Sequence, residues 1–294
     1  MPAKLSVNTT EFTLNTGKKI PAVALGTWQS PPEDAYKATL TALKNGYKHI
    51  DTAAVYGNEE GVGKAIKEAG IPREELFITT KLWNTDHKNI EDALDDSLKK
   101  LGLDYVDLYL IHWPVSTDKE TDSPSDYNDY VETYINLQKI YKEGNKIRAI
   151  GVSNFTKKKL EKLLSSKGID VVPATNQVEA HPLLTQPELY NYLKEKGILL
   201  EAYSPLGSSG SPLFKNETIL EIAKKNGVEP AQLLVSWAVQ RETVVLPKSV
   251  TESRIISNLE TFTLSDEDFD ALNKLSDTYG VNRTNDPGFN SFDD

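Results

Sequence analysis

Four ionisable residues of different types, Asp51, Tyr56, Lys81 and His112, stand at the ends of short apolar segments of the sequence. In GYKHIDTAAVYG, a segment typical of a buried β-strand ends at Asp51, and a phenol follows five positions later at Tyr56. Lys81 stands near the end of LFITTKLW, and His112 near the end of YVDLYLIHWP. If the fold brings these segment ends together, the four side chains form a site for proton transfer.

The chemistry of this set centres on the tyrosine. A phenol with its ordinary pKa of about 10 gives up its proton poorly near neutral pH. A lysine ammonium about 4 Å away, at an effective dielectric constant of about 20, favours the phenolate by about 4 kcal/mol, or about three pKa units. Asp51 would keep Lys81 charged and offset part of its field, so we expect a smaller net lowering of the pKa of Tyr56. A neutral His112 would orient a substrate oxygen by a hydrogen bond.

The elements that must position these residues alternate along the chain. Eight short apolar segments, rich in β-branched residues, each precede an amphipathic, charged segment. The predicted strands are AVALGT, KHIDTA, LFITTKLW, YVDLYLIHWP, KIRAIGVSNF, VVPATNQVEA, ILLEAYSPLG and TVVLPKS. Several predicted helices end in glycine after a basic last turn, as in LKKLG and YLKEKG. Eight strand-helix units without a linker predict an α/β fold, one closed (β/α)8 TIM barrel domain over residues 1–294.

Three additions to the barrel are predicted. An N-terminal β-hairpin would turn at Asn15 to Gly17, AQLLVSWAVQR and DEDFDALNKLSD would form extra helices, and TYGVNRTNDPGFNSFDD would form a long C-terminal loop. An open, doubly wound sheet is the alternative fold. That fold is expected to carry G-x-G-x-x-G after its first strand, and VALGTWQSPP contains no such motif.

Composition narrows the function. A formal net charge of -10 opposes binding to nucleic acid or anionic membranes, which carry charge of the same sign. The chain has no cysteine, and its four histidines are too scattered for a zinc motif, so we expect no metal. The start, MPAKLSVNTT, lacks the apolar core of a signal peptide, and no apolar segment approaches the length of a membrane-spanning helix. We therefore expect a cytoplasmic enzyme that acts on a small molecule.

Polar residues recur at successive strand ends, where (β/α)8 barrels carry their catalytic groups. The predicted fifth strand ends at Ser153 and Asn154, the sixth at Gln177, and the seventh at Tyr203 and Ser204. Each residue alone has an ordinary explanation as a helix cap or a solvated side chain. Their joint occurrence with the four ionisable residues favours a single site.

Three segments, GYKHIDTAAVYGNEEGVG, IRAIGVSNF and LPKSVTESRIISNL, resemble the signature motifs of the aldo-keto reductases, and the resemblance covers essentially the whole chain. LKKLGLDYVDLYLIHWP is most similar to the aldose reductase-like fungal branch, which includes xylose reductases, yeast glycerol dehydrogenases and carbonyl reductases. The resemblance implies reduction of an aldehyde or ketone to an alcohol with NADPH, with Tyr56 as the proton donor. Two positions depart from the family pattern, Lys48 where Arg is commoner and Ser257 where Glu or Gln is often found.

The same resemblance implies a cofactor site. Ser153, Asn154 and Gln177 would bind the nicotinamide carboxamide, and Tyr203 would stack on the nicotinamide ring. The segment SPLGSSGSP would bind the pyrophosphate, and LPKSVTESRIISNL would bind the 2′-phosphate and adenine. The implied NADPH-binding residues are Gly26, Thr27, Trp28, Ser153, Asn154, Gln177, Tyr203, Ser204, Pro205, Leu206, Gly207, Lys248, Ser249, Val250, Thr251, Arg254 and Asn258. Glycines and serines after the seventh strand, and cations after the eighth, suit phosphate groups on chemical grounds as well.

Aromatic residues after the first, third and fourth strands predict the substrate pocket. The substrate-binding residues are expected to be Trp28, Tyr56, Trp83, His112 and Trp113, and the tail near Phe289 to Phe292 is expected to close the pocket. We expect a monomer, with a dimer as the alternative. A non-catalytic NADP(H)-binding or structural barrel is the alternative function, which the intact set of Asp51, Tyr56, Lys81 and His112 disfavours.

Overall fold

A closed ring of parallel strands forms the centre of the fold in this computed structural model, which describes residues 2–288 and residue 292. The strands of the described residues are β1 (Ser6–Val7), β2 (Glu11–Thr13), β3 (Lys19–Pro21), β4 (Leu25–Gly26), β5 (His49–Asp51), β6 (Phe77–Leu82), β7 (Leu108–Ile111), β8 (Ile150–Ser153), β9 (Thr175–Glu179), β10 (Leu199–Tyr203), β11 (Val244–Val245) and β12 (Glu260–Thr261). Among these, β4 to β11 form an eight-stranded sheet in which each strand pairs with its neighbours in chain order.

The first and last strands of this sheet meet and close the barrel. Parallel bridges join Val23 to Val245 and Gly26 to Lys248, and the Ala24 N–H donates to the Val245 carbonyl oxygen at 2.9 Å. Both strands are shorter than predicted. Pro247 has no N–H and cannot continue the hydrogen-bond ladder of β11. The backbones of the first and last strands also lie very close together, since a Cβ on Gly26 would lie 3.1 Å from the Leu246 carbonyl oxygen. The predicted (β/α)8 barrel is confirmed.

Helices surround the barrel. Along the described residues they are α1 (Pro32–Lys44), α2 (Glu59–Ala69), α3 (Ile90–Leu101), α4 (Tyr130–Lys142), α5 (Lys157–Ser165), α6 (Pro187–Lys196), α7 (Glu217–Asn226), α8 (Pro230–Gln240), α9 (Glu252–Asn258), α10 (Asp266–Asn273) and α11 (Leu275–Tyr279). Helix α8 is the predicted extra helix before the last barrel strand. The second predicted extra helix is present as two helices, because the chain leaves helical geometry at Lys274.

Helix α3 shows why these segments are helical. Ile90, Leu94, Leu98 and Leu101 recur every three to four positions and are buried against the barrel. Acidic residues occupy its first turn and lysines its last, which complements the helix dipole. Gly102 ends the helix in the left-handed conformation, with φ of 68°, as the glycine in LKKLG predicts.

The N-terminal hairpin closes the opposite end of the barrel from the strand ends. Strands β2 and β3 pair antiparallel with Phe12 opposite Ile20, and the turn passes through Gly17 as predicted. Ile20 and Leu14 pack on the barrel interior with Phe77, Leu108 and Val244. A ligand therefore has access to the interior from the end where β4 to β11 terminate. Among the described residues, no helix is long and apolar enough to cross a membrane.

Candidate active site

A cavity of about 970 Å³ opens at the C-terminal ends of the barrel strands. Most of the predicted site residues line it, namely Gly26, Thr27, Trp28, Asp51, Tyr56, Trp83, His112, Trp113, Ser153, Asn154, Gln177, Tyr203, Ser204, Pro205, Leu206, Lys248, Ser249, Arg254 and Asn258. Lys81 lies behind this surface, and Gly207, Val250 and Thr251 adjoin lining residues without lining the cavity. A smaller cavity of about 600 Å³ near the N-terminal hairpin contains none of the predicted residues.

Asp51 and Lys81 form a buried ion pair between neighbouring strands. The Lys81 ammonium lies 2.5 Å from Asp51 Oδ1 and also donates to the Thr52 carbonyl oxygen at 2.9 Å. Lys81 is fully buried and Asp51 is 3% exposed. Burial alone would lower the pKa of Lys81, but Asp51 and Tyr56 outweigh it and raise that pKa. Lys81 therefore stays charged.

Tyr56 ends a short 3₁₀ helix that follows β5 and faces the cavity. The Lys81 ammonium donates to its phenol oxygen at 3.4 Å. Burial nevertheless raises the pKa of Tyr56, because the loss of hydration outweighs the opposing effect of Lys81. The net lowering of the Tyr56 pKa that the sequence predicts is wrong, because the desolvation of the phenol exceeds the effect of the Lys81 charge. Tyr56 is protonated, as a proton donor must be.

His112 faces Tyr56 across the cavity, with ring centroids 5.7 Å apart and nearly perpendicular planes. Burial and the Lys81 charge hold the pKa of His112 well below its usual range, so the imidazole is neutral, as predicted. Its buried Nδ1 atom has no hydrogen-bond partner among the described residues. The phenol and a neutral imidazole thus converge on one space, where they can hydrogen-bond the same substrate oxygen.

A hydrogen-bonded chain of polar residues lies beside this pair. Asn154 donates to the His112 carbonyl oxygen at 3.0 Å and accepts from the Tyr203 hydroxyl at 2.6 Å. Ser153 donates to the Gln177 carbonyl oxygen at 2.7 Å. The Gln177 amide donates to Asp51 Oδ2 at 2.8 Å, so it joins the buried ion pair in this structure.

Two residues at these strand ends have unusual backbone geometry. Asn154 and Ser204 have φ of 63° and 46°, a conformation that is rare for residues with a side chain. Strain of this kind is found where the fold must aim a side chain or a backbone N–H at a ligand. The loop that follows Ser204 contains further positive φ values at Gly207, Ser208 and Gly210.

Cations mark the far end of the cavity. Lys248 and Arg254 are exposed, line the cavity, and form no ion pair with any other described residue. Ser249 lies between them and accepts a hydrogen bond from the Thr251 N–H at 3.1 Å, just before α9 begins. The arrangement suits a phosphate group.

Aromatic residues form the other wall. Trp28 is 38% exposed, whereas Trp113 is 5% exposed and stacks on His112 with ring centroids 6.5 Å apart. Phe292 from the C-terminal tail packs against Trp113 at 5.9 Å, and Asn285 and Pro287 line the cavity. The tail therefore borders the pocket; Phe289, which was also expected there, lies outside the described residues.

Sequence reasoning missed Asn58, which fixes two loops of the site. Its fully buried amide donates to the carbonyl oxygens of Thr27 and Ser30 at 2.8 and 3.0 Å and accepts from the Thr52 hydroxyl. Its place in YGNEEGVG, two residues after Tyr56, was the available signal. Other missed lining residues include Gln29, Val55, Phe214, Glu229, Pro230 and Ala231, which lie in loops, in short 3₁₀ helices and at the start of α8. Ser208 and Ser209, in the loop expected to hold the pyrophosphate, also line the cavity.

Comparison with known proteins gives consistent matches. Residues 22–277 match the model of the Aldo/keto reductase family. A glycerol 2-dehydrogenase (NADP(+)) of Saccharomyces cerevisiae is 53% identical over 100% of this chain and 99% of the relative, and an aldehyde reductase of the same yeast is 49% identical over 99% of each. A crystal structure of a Bombyx mori aldo-keto reductase in complex with NADP superposes with a TM-score of 0.87, at 39% identity and 96% coverage of both chains.

Proposed function

The chain belongs to the aldo-keto reductase family, and we propose that it reduces aldehydes and ketones to alcohols with NADPH, with Tyr56 as the proton donor. One observation carries the assignment of Tyr56. Its phenol shares the cavity with a neutral His112, while the charged Lys81 lies 3.4 Å behind its oxygen. An acid, an orienting group and a cation that stabilises the conjugate base are together at one point.

The cavity fits NADPH. Its volume of about 970 Å³ suits a large ligand, and it runs from Tyr56 to the unpaired cations Lys248 and Arg254. We propose that Ser153, Asn154, Gln177 and Tyr203 would hold the nicotinamide end, the loop after Ser204 the pyrophosphate, and Lys248 and Arg254 the 2′-phosphate. The chemistry that NADPH supplies when bound is the hydride for the carbonyl carbon.

The protein's own residues handle the proton. His112 hydrogen-bonds the carbonyl oxygen and fixes its direction. The Tyr56 O–H then donates its proton to that oxygen, and the phenolate that remains lies beside the Lys81 ammonium, which stabilises it. Asp51 holds Lys81 charged and in place through the 2.5 Å contact.

The Asp51–Lys81 pair speaks against a non-catalytic barrel. A buried ion pair contributes little to stability, because the loss of hydration offsets its attraction. Apolar side chains would fill the same space without that cost. Placing the pair directly behind a cavity-facing phenol makes sense for proton transfer.

The substrate pocket is proposed to be the space between Tyr56, His112 and the tryptophans Trp28, Trp83 and Trp113, which suits small carbonyl compounds with an apolar or aromatic group. We further propose that residues 1–294 form one domain, since β1 near the N-terminus pairs with β12 near the C-terminus. A cytoplasmic monomer is proposed from the family resemblance, and cell fractionation and light scattering test it.

A panel of aliphatic aldehydes, aromatic aldehydes, α-keto esters and diketones, assayed with NADPH and NADH, tests the function. We expect oxidation of NADPH that depends on the carbonyl compound. The loss of NADPH absorbance and the formation of the alcohol measure it. Cofactor binding with no carbonyl-dependent oxidation would contradict the proposed reductase activity.

A further inference from the structure

Glu179, at the C-terminal end of a barrel strand, binds the backbone of the chain segment that follows α11. It is the last residue of β9 and is fully buried. Its Oε1 accepts from the Asn285 N–H at 2.7 Å, and its Oε2 accepts from the Thr284 N–H at 2.9 Å. The Thr284 N–H also lies 3.1 Å from Oε1, so both carboxylate oxygens bind the backbone of a segment more than 100 positions away.

His181 completes this arrangement as a neutral donor. The Leu183 N–H donates to His181 Nδ1 at 3.2 Å, so the ring proton lies on Nε2. That Nε2–H donates to Glu179 Oε2 at 2.8 Å. Burial alone would raise the pKa of Glu179, but His181 and the two backbone N–H groups lower it. The carboxylate is ionised and fully used as an acceptor.

The segment that Glu179 holds continues into the cavity. We define the tail as residues 280–288 together with Phe292. Asn285 and Pro287 line the cavity, and Phe292 packs on Trp113. The described part of the tail is largely exposed, so packing holds it weakly. Other hydrogen bonds between the tail and the barrel include that from the Asn282 N–H to the Leu183 carbonyl oxygen and a 3.4 Å contact between the Thr284 and Ser208 hydroxyls.

We propose that Glu179 is a positioning residue that fixes the tail across the mouth of the pocket and thereby favours carbonyl substrates with an aromatic or bulky group. This inference rests on the proposed reductase function. When the tail is already ordered at Asn285 and Pro287, a substrate that reaches Trp113 can pack against it without first ordering it. A free tail would have to be ordered again when such a substrate binds, which weakens binding. A short aliphatic aldehyde does not need that wall.

Glu179→Gln is the test variant, because both carboxylate oxygens accept N–H groups and an NH₂ in either place sets a donor against a donor. We expect faster hydrogen exchange at the Thr284 and Asn285 amides. We also expect KM for benzaldehyde to rise about tenfold with kcat changed less than about twofold, while KM for propanal and the Kd of NADPH stay within about twofold. Glu179→Asp should restore part of the exchange protection.

Two further variants keep the test decisive. Thr284→Pro removes the N–H that reaches both oxygens and leaves β9 intact, so it should reproduce the faster exchange at Asn285 and the KM changes even if Glu179→Gln folds poorly. Glu59→Gln is the matched control: Glu59 is a buried glutamate on α2 that accepts from the Thr80 and Ser97 hydroxyls, and its loss should leave the tail protected.

Unchanged exchange at Thr284 and Asn285 in Glu179→Gln would refute the anchor. Faster exchange with an unchanged ratio of the benzaldehyde and propanal KM values would refute the role in substrate selection. A wild-type protein that reduces no carbonyl compound with NADPH would instead contradict the proposed function, and the exchange measurement would still decide whether Glu179 holds the tail.

Discussion

The ammonium of Lys81 lies 3.4 Å from the phenol oxygen of Tyr56, and Tyr56 lines the cavity whereas Lys81 does not. Its position leaves the phenol O–H free to face a substrate. Burial raises the pKa of Tyr56 and Lys81 lowers it, with burial the larger effect. The phenol is therefore protonated near neutral pH, and the phenolate formed by proton donation appears beside a positive charge.

Tyr56→Phe should lower kcat/KM for an aliphatic aldehyde by about 10²–10⁴-fold, because the variant has no proton to donate. Binding of NADPH should change by less than about twofold, since the ring remains in place. Steady-state kinetics and fluorescence titration with NADPH measure the two effects.

Tyr109→Phe is the matched control for this prediction. Tyr109 is fully buried on β7, and its hydroxyl has no hydrogen-bond partner among the described residues, so its loss should leave turnover unchanged. If Tyr56→Phe retained half of the wild-type turnover, another group would have to be the acid.

The alternation of strands and helices was sufficient to predict that polar residues at the strand ends lie together. Asp51 and Lys81 are near the C-terminal ends of neighbouring strands, and in a (β/α)8 barrel these strand ends lie together at one face. The ion pair between them follows from that placement and from opposite charge. The first and last strands were predicted too long, since nothing in the alternation reveals the close approach at Gly26.

Burial and distant loop contacts could not be predicted in the same way. The pKa of Tyr56 depends on how completely the fold removes water from the phenol, and sequence spacing does not contain that quantity. Glu179 and Thr284 are 105 positions apart, and their contact depends on the course of a tail without periodic pattern. Such features belong to tertiary structure alone.

Trp28→Ala should change the ranking of aromatic and aliphatic aldehydes with little loss of stability. Trp28 lines the cavity and is 38% exposed, so its removal creates little buried void. Trp113→Ala should change the ranking too, and should also lower the free energy of unfolding by about 3–5 kcal/mol, because Trp113 is 5% exposed. Specificity constants for a substrate panel and urea unfolding separate the two effects. An unchanged ranking in both variants would mean that these rings serve packing alone.

Glu201→Gln should remove a pH-dependent loss of stability. Glu201 lies buried on β10, where burial, aided by the charge of Asp51, raises its pKa to about 8. The folded protein therefore keeps a proton that the unfolded chain releases above its usual pKa, and stability falls as pH rises from about 4.5 to about 8. The full effect is about 4–5 kcal/mol at most.

Urea unfolding of the wild type and Glu201→Gln between about pH 5 and about pH 8 measures this difference. The variant, which mimics the protonated acid, should gain stability over the wild type as pH rises. Glu188→Gln, an exposed glutamate on α6, should follow the wild type. Parallel curves for wild type and Glu201→Gln would show that Glu201 ionises in the folded protein as it does in the unfolded chain.

Arg254→Ala should weaken NADPH by about 10- to 100-fold and leave NADH nearly unchanged. The net charge of -10 gives the protein no general attraction for an anionic cofactor, so local cations must supply it. Arg254 is exposed at the cavity edge with no ion pair among the described residues, and it is free to bind the 2′-phosphate that distinguishes NADPH. A charge-assisted hydrogen bond of about 1.5–3 kcal/mol corresponds to the predicted loss.

Arg148→Ala is the matched control, because it makes the same change in net charge on the chain segment that precedes β8. Arg148 donates to the Gly144 carbonyl oxygen there, and its loss should affect neither cofactor. Fluorescence titrations of both variants with both cofactors give the four affinities, and equal losses of NADPH and NADH in Arg254→Ala would overturn the assignment of Arg254 to the 2′-phosphate.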